Sequence, residues 1–329
     1  MSAAPSGGGF GIRAAMRALR DAGVHASSDA APLETRRVAD EPPRLEAAAP
    51  IEGTRVEARR VHGEPVVGFA AFLDGIQRSR VVAHVGGIGV PIVHGAVASA
   101  VRLRTGQRLR TWESPVISQA LYAPLGALAP EFAASLMAAA HNSNELRRVI
   151  DTEVPAGSHP QEFTARALTA VQRERERAEV SLAESWVARE STPLLIDGGI
   201  SGAGTAARHP MAIGVVKSHN ALYVTGDSVA TVLGLREGER STAVELASPR
   251  RRVPVATWYL RLRDHGNRSP FFGLVRVEVA REGEITERAD LVSRWLLAER
   301  IPVSLPDPRW DVMVYGIREC ERYLSSILT

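Results

Sequence analysis

The sequence predicts an α/β protein with a mixed sheet flanked by helices. Apolar, β-rich runs such as VVGFAAFLD, LLID, AIGVVKS and VATWYLRLRD are separated by longer segments with helical periodicity, among them LAPEFAASLMAAA and VQRERERAEVSLAESWVARE. The chain has 329 residues, of which 45% are hydrophobic, so it can bury a substantial core. These observations favour one α/β domain with strands and helices mixed along the chain.

The N-terminal part differs in composition from the rest. Residues 1–60 are rich in Ala, Pro, Gly and Ser, which predicts a partly disordered, flexible arm. Within it Ile12, Met16 and Leu19 share one face of a short amphipathic helix. We therefore expect the folded domain to span residues 61–329.

The first strands predict a meander. VVGFAAFLD reads as a buried strand that ends at Asp74, and two further β-rich runs follow, joined by the glycine-rich turn at Gly86–Gly89. Such a turn between β-rich runs is typical of an antiparallel hairpin. We therefore expect Asp74 to lie at the end of the first strand.

A helical insertion at about residues 115–190 is predicted to follow, and its long helix carries Glu179. The next strand, LLID, ends at Asp197, and its continuous apolar run suits a strand covered on both faces. Asp74 and Asp197 are therefore expected at neighbouring strand ends. This order of elements is the one expected of an RNase H-like fold.

The charge pattern singles out one cation. Of 40 Lys and Arg residues only Lys217 is a lysine, a compact point charge where arginine would place a planar fork. The net charge of +3 and pI near 9.4 allow a polyanionic partner through a local basic surface. A single cysteine without a CxxC motif gives no case for structural zinc and suits a reducing, cytoplasmic location. The absence of an apolar stretch of about 18 residues predicts no membrane span.

Carboxylates that converge at neighbouring strand ends, such as those of Asp74 and Asp197, indicate a site for a divalent metal ion. Their mutual repulsion is relieved by a divalent cation or a raised pKa, and oxygen ligands favour Mg²⁺ or Mn²⁺ over zinc. Lys217 would then stabilise charge on a phosphate or orient a nucleophile. The Asp-Gly pairs at Asp74 and Asp197 are also strong turn signals, so a turn-forming role remains the alternative for each.

An ordered set of motifs resembles the NurA nuclease family: FLDGIQRS, the helix with Glu179, LLIDGGIS, IGVVKS, WYLRL and FGLVRVEV. The resemblance covers roughly residues 65–325. It implies that Asp74, Glu179 and Asp197 bind manganese, or magnesium, and that Lys217 falls on the family's lysine. It implies a metal-dependent DNA nuclease, with exonuclease and single-strand endonuclease activity, in DNA end resection and repair or in phage defence. It also implies a homodimer that threads DNA and docks on a HerA-type hexameric ATPase.

The sequence departs from that family at several positions. The two aspartate motifs read DGI and DGG where serine is common, and no histidine stands near the start of the C-terminal helix, which leaves Asp311 as a possible fourth acid. Glu113 competes with Glu179 for the role of third carboxylate.

Three further residues are candidates for DNA binding. Arg261 and Arg276 suit phosphates, and Tyr259 suits base stacking, while ordinary salt-bridge or surface roles and a core aromatic are the alternatives.

Two other functions stay open. A noncatalytic DNA-binding adaptor or clamp for the translocase would explain the departures from the aspartate motifs. A glycoside hydrolase would use two carboxylates as acid and base without added metal, but it gives no reason for Lys217.

Overall fold

The computed structural model describes residues 16–17, 19–21, 23, 32–33, 42–106, 108–141, 148–155, 157–247, 253–300 and 314–328. Strands and helices are mixed along the chain, as the sequence predicts. The strands are β1 (Pro32–Leu33), β2 (Arg44–Leu45), β3 (Ala58–Arg60), β4 (Ala71–Val85), β5 (Val90–Thr105), β6 (Arg108–Ala123), β7 (Val149–Asp151), β8 (Leu194–Asp197), β9 (Ala212–Val216), β10 (Ala221–Leu222), β11 (Glu239–Ser241), β12 (Val244–Leu246), β13 (Val255–Arg261) and β14 (Leu274–Ala280). The helices are α1 (Pro130–His141), α2 (Pro160–Arg189), α3 (Asp227–Leu233), α4 (Ile285–Glu299) and α5 (Tyr315–Ile327), with short 3-10 turns at Leu125–Ala127 and Ala206–Arg208.

One large mixed sheet organises the fold. Its strand order is β3-β11-β13-β14-β9-β8-β4-β5-β6-β7, with β1 added to β4 and β12 added to β13. Strands β4, β5 and β6 form an antiparallel meander, while β8 and β9 run parallel to β4. A separate pair joins β10 and β2. The α/β class with a large mixed sheet flanked by helices is confirmed.

The predicted hairpin around Gly86–Gly89 is present, but the strand bounds differ from the expectation. β4 begins at Ala71 and runs without a break to Val85, so Asp74 lies inside a strand and not at its end. The meander is completed by β6, which occupies residues 108–123, part of the segment assigned to the helical insertion. The long apolar and β-branched stretches on both sides of Asp74-Gly75 override the local turn signal.

Residues 42–60 also differ from the expected arm. β3 pairs with β11 in the large sheet, and the buried carboxylate of Glu52 accepts two hydrogen bonds from the buried guanidinium of Arg240, each 2.7 Å long. A packed strand and a buried ion pair make residues 42–60 part of the folded domain. Of the expected amphipathic helix, Met16 and Leu19 are described as helical. Leu19 is buried in a cluster with Leu136 and Phe163, and Met16 packs against that cluster. Ile12 lies outside the described residues.

Helices cover the two faces of the sheet around β4. Leu73 packs against Leu182 and Trp186 of α2, whereas Phe72 lies beneath Gly316 of α5. Because successive side chains of a strand point to opposite faces, odd-numbered residues at this level of β4 face α2 and even-numbered residues face α5. No helix among the described residues is long and apolar enough to cross a membrane.

Candidate active site

Asp74 and Asp197 lie side by side on adjacent parallel strands. The pairing of β4 with β8 sets Leu73 opposite Ile196, and the next residue on each strand is the aspartate. β8 ends at Asp197, whereas β4 continues past Asp74. The alternation of side chains directs both carboxylates to the face that α5 covers at Phe72. The structure thus brings together the two aspartates that the sequence predicted as neighbours.

Lys217 joins this pair from the next strand. Asp197 lies opposite Val215 of β9, and Lys217 follows two residues later, just beyond the end of that strand. Its Nζ donates a hydrogen bond to Asp197 Oδ2 at 2.9 Å, and both side chains are 27% exposed. The ammonium and the carboxylate therefore form an ion pair that solvent can reach.

Glu179 approaches the same point of β4 from α2. A Cβ built on Gly75 would lie 2.3 Å from Glu179 Oε1 and 2.6 Å from Ser99 Oγ, so only glycine leaves room for the carboxylate against this strand. Asp74 and Gly75 are consecutive, so Asp74 points to one face of the sheet and Glu179 lies on the other. Gly75 is therefore a packing requirement of the site, and its φ is not in the left-handed region that a turn would use.

Burial and neighbouring charge change the protonation of these acids. Burial raises the pKa of Asp74 well above its usual range, and the Asp197 carboxylate raises it further. Lys217 opposes that rise, as does the Gly75 N–H, which donates to Asp74 Oδ1 at 2.7 Å. Burial also raises the pKa of Glu179 to about 7, against the opposing charge of Arg175. The cluster thus holds more negative charge than its buried surroundings accommodate.

Arg175 neutralises Glu179 from one helical turn away. Its Nη1 donates to Glu179 Oε1, and its Nε donates to Gln77 Oε1 at 3.2 Å. Asp197 and Glu179 consequently each have a basic partner, Lys217 and Arg175. Arg175 was not a candidate from the sequence, since it belongs to an alternating run of charges that reads as a solvated helix face.

The donor set fits a hard divalent cation in part. Asp74 and Asp197 offer carboxylate oxygens on the same face and at the same level, and their repulsion is the kind that Mg²⁺ or Mn²⁺ relieves. Within the described ranges, no three His, Cys, Asp or Glu side chains are grouped closely enough to hold a metal ion. Two of the three predicted ligands therefore fit together, and Glu179, held by Arg175 on the other face, is not grouped with them.

The remaining acid candidates separate clearly. Glu113, the rival third carboxylate, is exposed on β6 and accepts from Arg189 Nη2 at 3.0 Å near the end of α2. The charge of Glu179, in contrast, raises the pKa of Asp74. Glu179 is thus the acid next to the aspartates. Asp311 lies outside the described residues.

The three side chains predicted to contact DNA are buried. Arg261 is 0% exposed and donates to the carbonyl oxygens of four residues: Leu233, Leu235, Pro270 and Phe272. The Tyr259 hydroxyl accepts from the Tyr223 N–H at 2.9 Å, and Arg276 donates to Glu278 at 2.5 Å. The expectation that they face DNA is therefore corrected, because their polar atoms are directed into the protein.

The sequence analysis did not predict one buried acid, Glu278, which binds the loop that follows Asp197. Glu278 is 0% exposed on β14, and its Oε2 accepts from the N–H groups of Ile200 at 2.7 Å and Ser201 at 3.2 Å. Its signal was a single glutamate within the apolar run LVRVEVA, where an acid is buried only if it has partners.

No family model matches the chain, and no curated protein sequence shows significant similarity to it.

Proposed function

We propose that this protein is a metal-dependent DNA nuclease whose site is centred on Asp74, Asp197 and Lys217. The observation that carries the proposal is the placement of two aspartates side by side on parallel strands, with the chain's single lysine bonded to one of them. Paired carboxylates with a nearby ammonium suit hydrolysis of a phosphodiester, because the substrate and its transition state are anionic. This placement supports the motif-based resemblance to NurA nucleases.

The sheet topology also supports an RNase H-like fold. Three antiparallel strands, β4 to β6, are followed by β8 and β9, which add in parallel on the other side of β4. The sequence order suggested a meander of three strands followed by a fourth strand, although two of the predicted strands form the single strand β4 and the meander is completed by β6. Asp74 in β4 and Asp197 at the end of β8 then occupy adjacent central strands.

Each residue has a role in the proposed reaction. Asp74 and Asp197 would hold Mn²⁺ or Mg²⁺, which supplies Lewis-acid stabilisation of phosphate charge when bound. Lys217, partly exposed beside Asp197, orients that carboxylate and can donate to a phosphate oxygen. Glu179, with its pKa raised to about 7, exchanges a proton at neutral pH and adjusts the charge next to Asp74.

The proposed partners follow from the resemblance. DNA is the substrate, the functional unit is a homodimer, and a HerA-type hexameric ATPase supplies ATP-driven movement, in a cytoplasmic pathway of end resection or phage defence. The chain itself has no Walker A string.

A noncatalytic adaptor that binds DNA and the translocase is the second candidate. It is favoured by the ion pairs of Asp197 with Lys217 and of Glu179 with Arg175, which leave the acids neutralised without a cation. The absence of a group of three metal-binding side chains among the described residues favours it as well.

One experiment separates the two functions. End-labelled single- and double-stranded DNA is incubated with the purified protein in Mn²⁺, Mg²⁺ or EDTA, comparing wild type with Asp74→Asn and Asp197→Asn. Asp227→Asn, an exposed acid at the start of α3, is the matched control. If the protein is a nuclease, we expect metal-dependent cleavage that falls more than about 100-fold in the two site variants and persists in the control. Such a loss is larger than that typical of residues that only orient a metal ligand.

The other outcomes also decide the question. DNA binding without cleavage, with or without the translocase, would establish the adaptor in place of the nuclease. Cleavage retained in both site variants would refute the assignment of the site. Hydrolysis of glycosides without added metal would favour the carboxylate-pair hydrolase.

A further inference from the structure

The chain leaves the direction of β8 immediately after Asp197. Gly198 has a φ of 130°, a conformation that favours glycine, and it forms an isolated antiparallel bridge with Val215. The loop then crosses β9 at Gly214, where a Cβ would lie 2.7 Å from the Gly198 carbonyl oxygen. Two glycines thus allow the loop to lie directly on the sheet.

After crossing β9, the loop is hydrogen-bonded to Glu278 on β14. Gly214 pairs with Ile196 on one side and with Glu278 on the other, so the crossing carries the chain from β8 to β14. There the N–H groups of Ile200 and Ser201 donate to Glu278 Oε2. A Cβ on Gly199 would lie 2.9 Å from the same oxygen.

Glu278 is itself held in place. Arg276 Nη1 donates to Glu278 Oε1 at 2.5 Å, and the Arg276 guanidinium lies over the Tyr223 ring, 4.9 Å from its centroid. Glu278 and Arg276 are 0% and 6% exposed. A buried carboxylate with charge-assisted bonds to an arginine and two backbone N–H groups is a rigid anchor, because any movement would leave a buried charge unpaired.

We propose that Glu278 is a positioning residue, which holds the Gly198–Ser201 loop and so directs the Asp197 carboxylate towards Lys217. This inference rests on the proposed function for its effect on catalysis, but its structural part does not. Arg276, expected to contact DNA, acts here as the charge partner of Glu278. Glu278 acts through the backbone of the loop, whose Ile200 and Ser201 N–H groups donate to its carboxylate.

The single lysine provides a direct readout. In protein labelled with isotopes only at lysine, the NMR signal of the side chain belongs to Lys217 alone. Asp197→Asn gives the reference position of that signal when the ion pair is lost. Glu278→Gln and Gly199→Ala disturb the anchor from its two sides, and cleavage kinetics are measured on the same samples.

Two controls match these variants. Glu299→Gln alters another buried acid, which lies on α4 and has Arg104 as its partner. Gly202→Ala alters a glycine in the same loop region whose Cβ would meet no atom within 4 Å. Both should leave the lysine signal and the cleavage rate unchanged.

The expected result is that Glu278→Gln and Gly199→Ala shift the Lys217 signal towards its position in Asp197→Asn. We also expect kcat to fall about 10-fold or more, as for residues that orient a metal ligand, with KM for DNA changed little. A Lys217 signal unchanged in folded Glu278→Gln and Gly199→Ala would overturn the inference. If Glu278→Gln does not fold, Gly199→Ala decides alone. If wild type cleaves no DNA, the proposed function fails while the lysine signal still decides the role of Glu278.

Discussion

The Nζ of Lys217 donates a hydrogen bond to Oδ2 of Asp197 at 2.9 Å, which commits the single lysine of this chain to the second aspartate of the site. The pair joins the end of β8 to the residue that follows β9. A compact ammonium reaches this partly exposed carboxylate and keeps donors free to turn towards a ligand, whereas a guanidinium is larger and planar.

Lys217→Arg should therefore keep the positive charge but lower the rate of cleavage. We expect a cleavage rate lower by about 10-fold or more, because the fork changes the orientation of Asp197, with unfolding stability nearly unchanged. Cleavage kinetics and urea unfolding on the same samples measure both. Full activity in this variant would mean that only the positive charge matters.

The raised pKa of Glu179 predicts a pH-dependent stability. Its ordinary pKa is 4.5 and its folded value is about 7, so between these pH values the folded state holds a proton that the unfolded state has lost. The free energy of unfolding should therefore decrease as the pH rises from about 4.5 to about 7 and level off above that, by about 3 kcal/mol from this group.

Glu179→Gln removes this titration, so its stability should change less over the same pH range. Urea unfolding in EDTA at several pH values compares it with wild type, and Glu162→Gln, an acid on the same helix with a side chain that is 41% exposed, is the control. Asp74, whose pKa is also raised, leaves some dependence in every variant. Identical pH profiles for wild type and Glu179→Gln would contradict the assignment.

Gly75→Ala tests the contact between the helix and the strand. Its Cβ would lie within 2.6 Å of both Glu179 Oε1 and Ser99 Oγ, so the variant must displace the glutamate or shift the strand. We expect a loss of about 1 to 3 kcal/mol of unfolding free energy together with a loss of cleavage. Gly87→Ala, in the hairpin turn with open space around it, should change neither property. Equal behaviour of the two variants in urea unfolding would show that Glu179 does not pack against Gly75.

Arg261→Lys separates a structural role from a phosphate contact. The guanidinium donates to four carbonyl oxygens, and an ammonium cannot match that planar set of bonds. We expect the free energy of unfolding to fall by about 3 kcal/mol or more, while the salt dependence of DNA binding is unchanged at a temperature where the variant is folded. Arg108→Ala, an exposed arginine, is the control for stability. A changed salt dependence with unchanged stability would restore the DNA contact.

The sequence predicted what depends on local pattern. The glycine turn between two β-rich runs located the hairpin, and the order of motifs predicted Asp74 and Asp197 on neighbouring strands, with Lys217 after a further strand. It misjudged Asp74-Gly75 as a strand end, because the reason for Gly75 is Glu179, which lies 104 positions further along the chain. For the same reason Arg261 was assigned to a phosphate contact, since its carbonyl partners lie outside its own strand, on one segment with Leu233 and Leu235 and another with Pro270 and Phe272. Partners that only the folded chain brings together cannot be read from local periodicity.

The interior position of Asp74 has a mechanical consequence. Its backbone is hydrogen-bonded within the long pairing of β4 with β5, so it cannot shift without breaking the middle of the sheet. Asp197 instead stands at the last residue of a four-residue strand, followed by two glycines. The separation of the two carboxylates is therefore set on one side by the sheet around Asp74 and on the other by the loop that Glu278 holds.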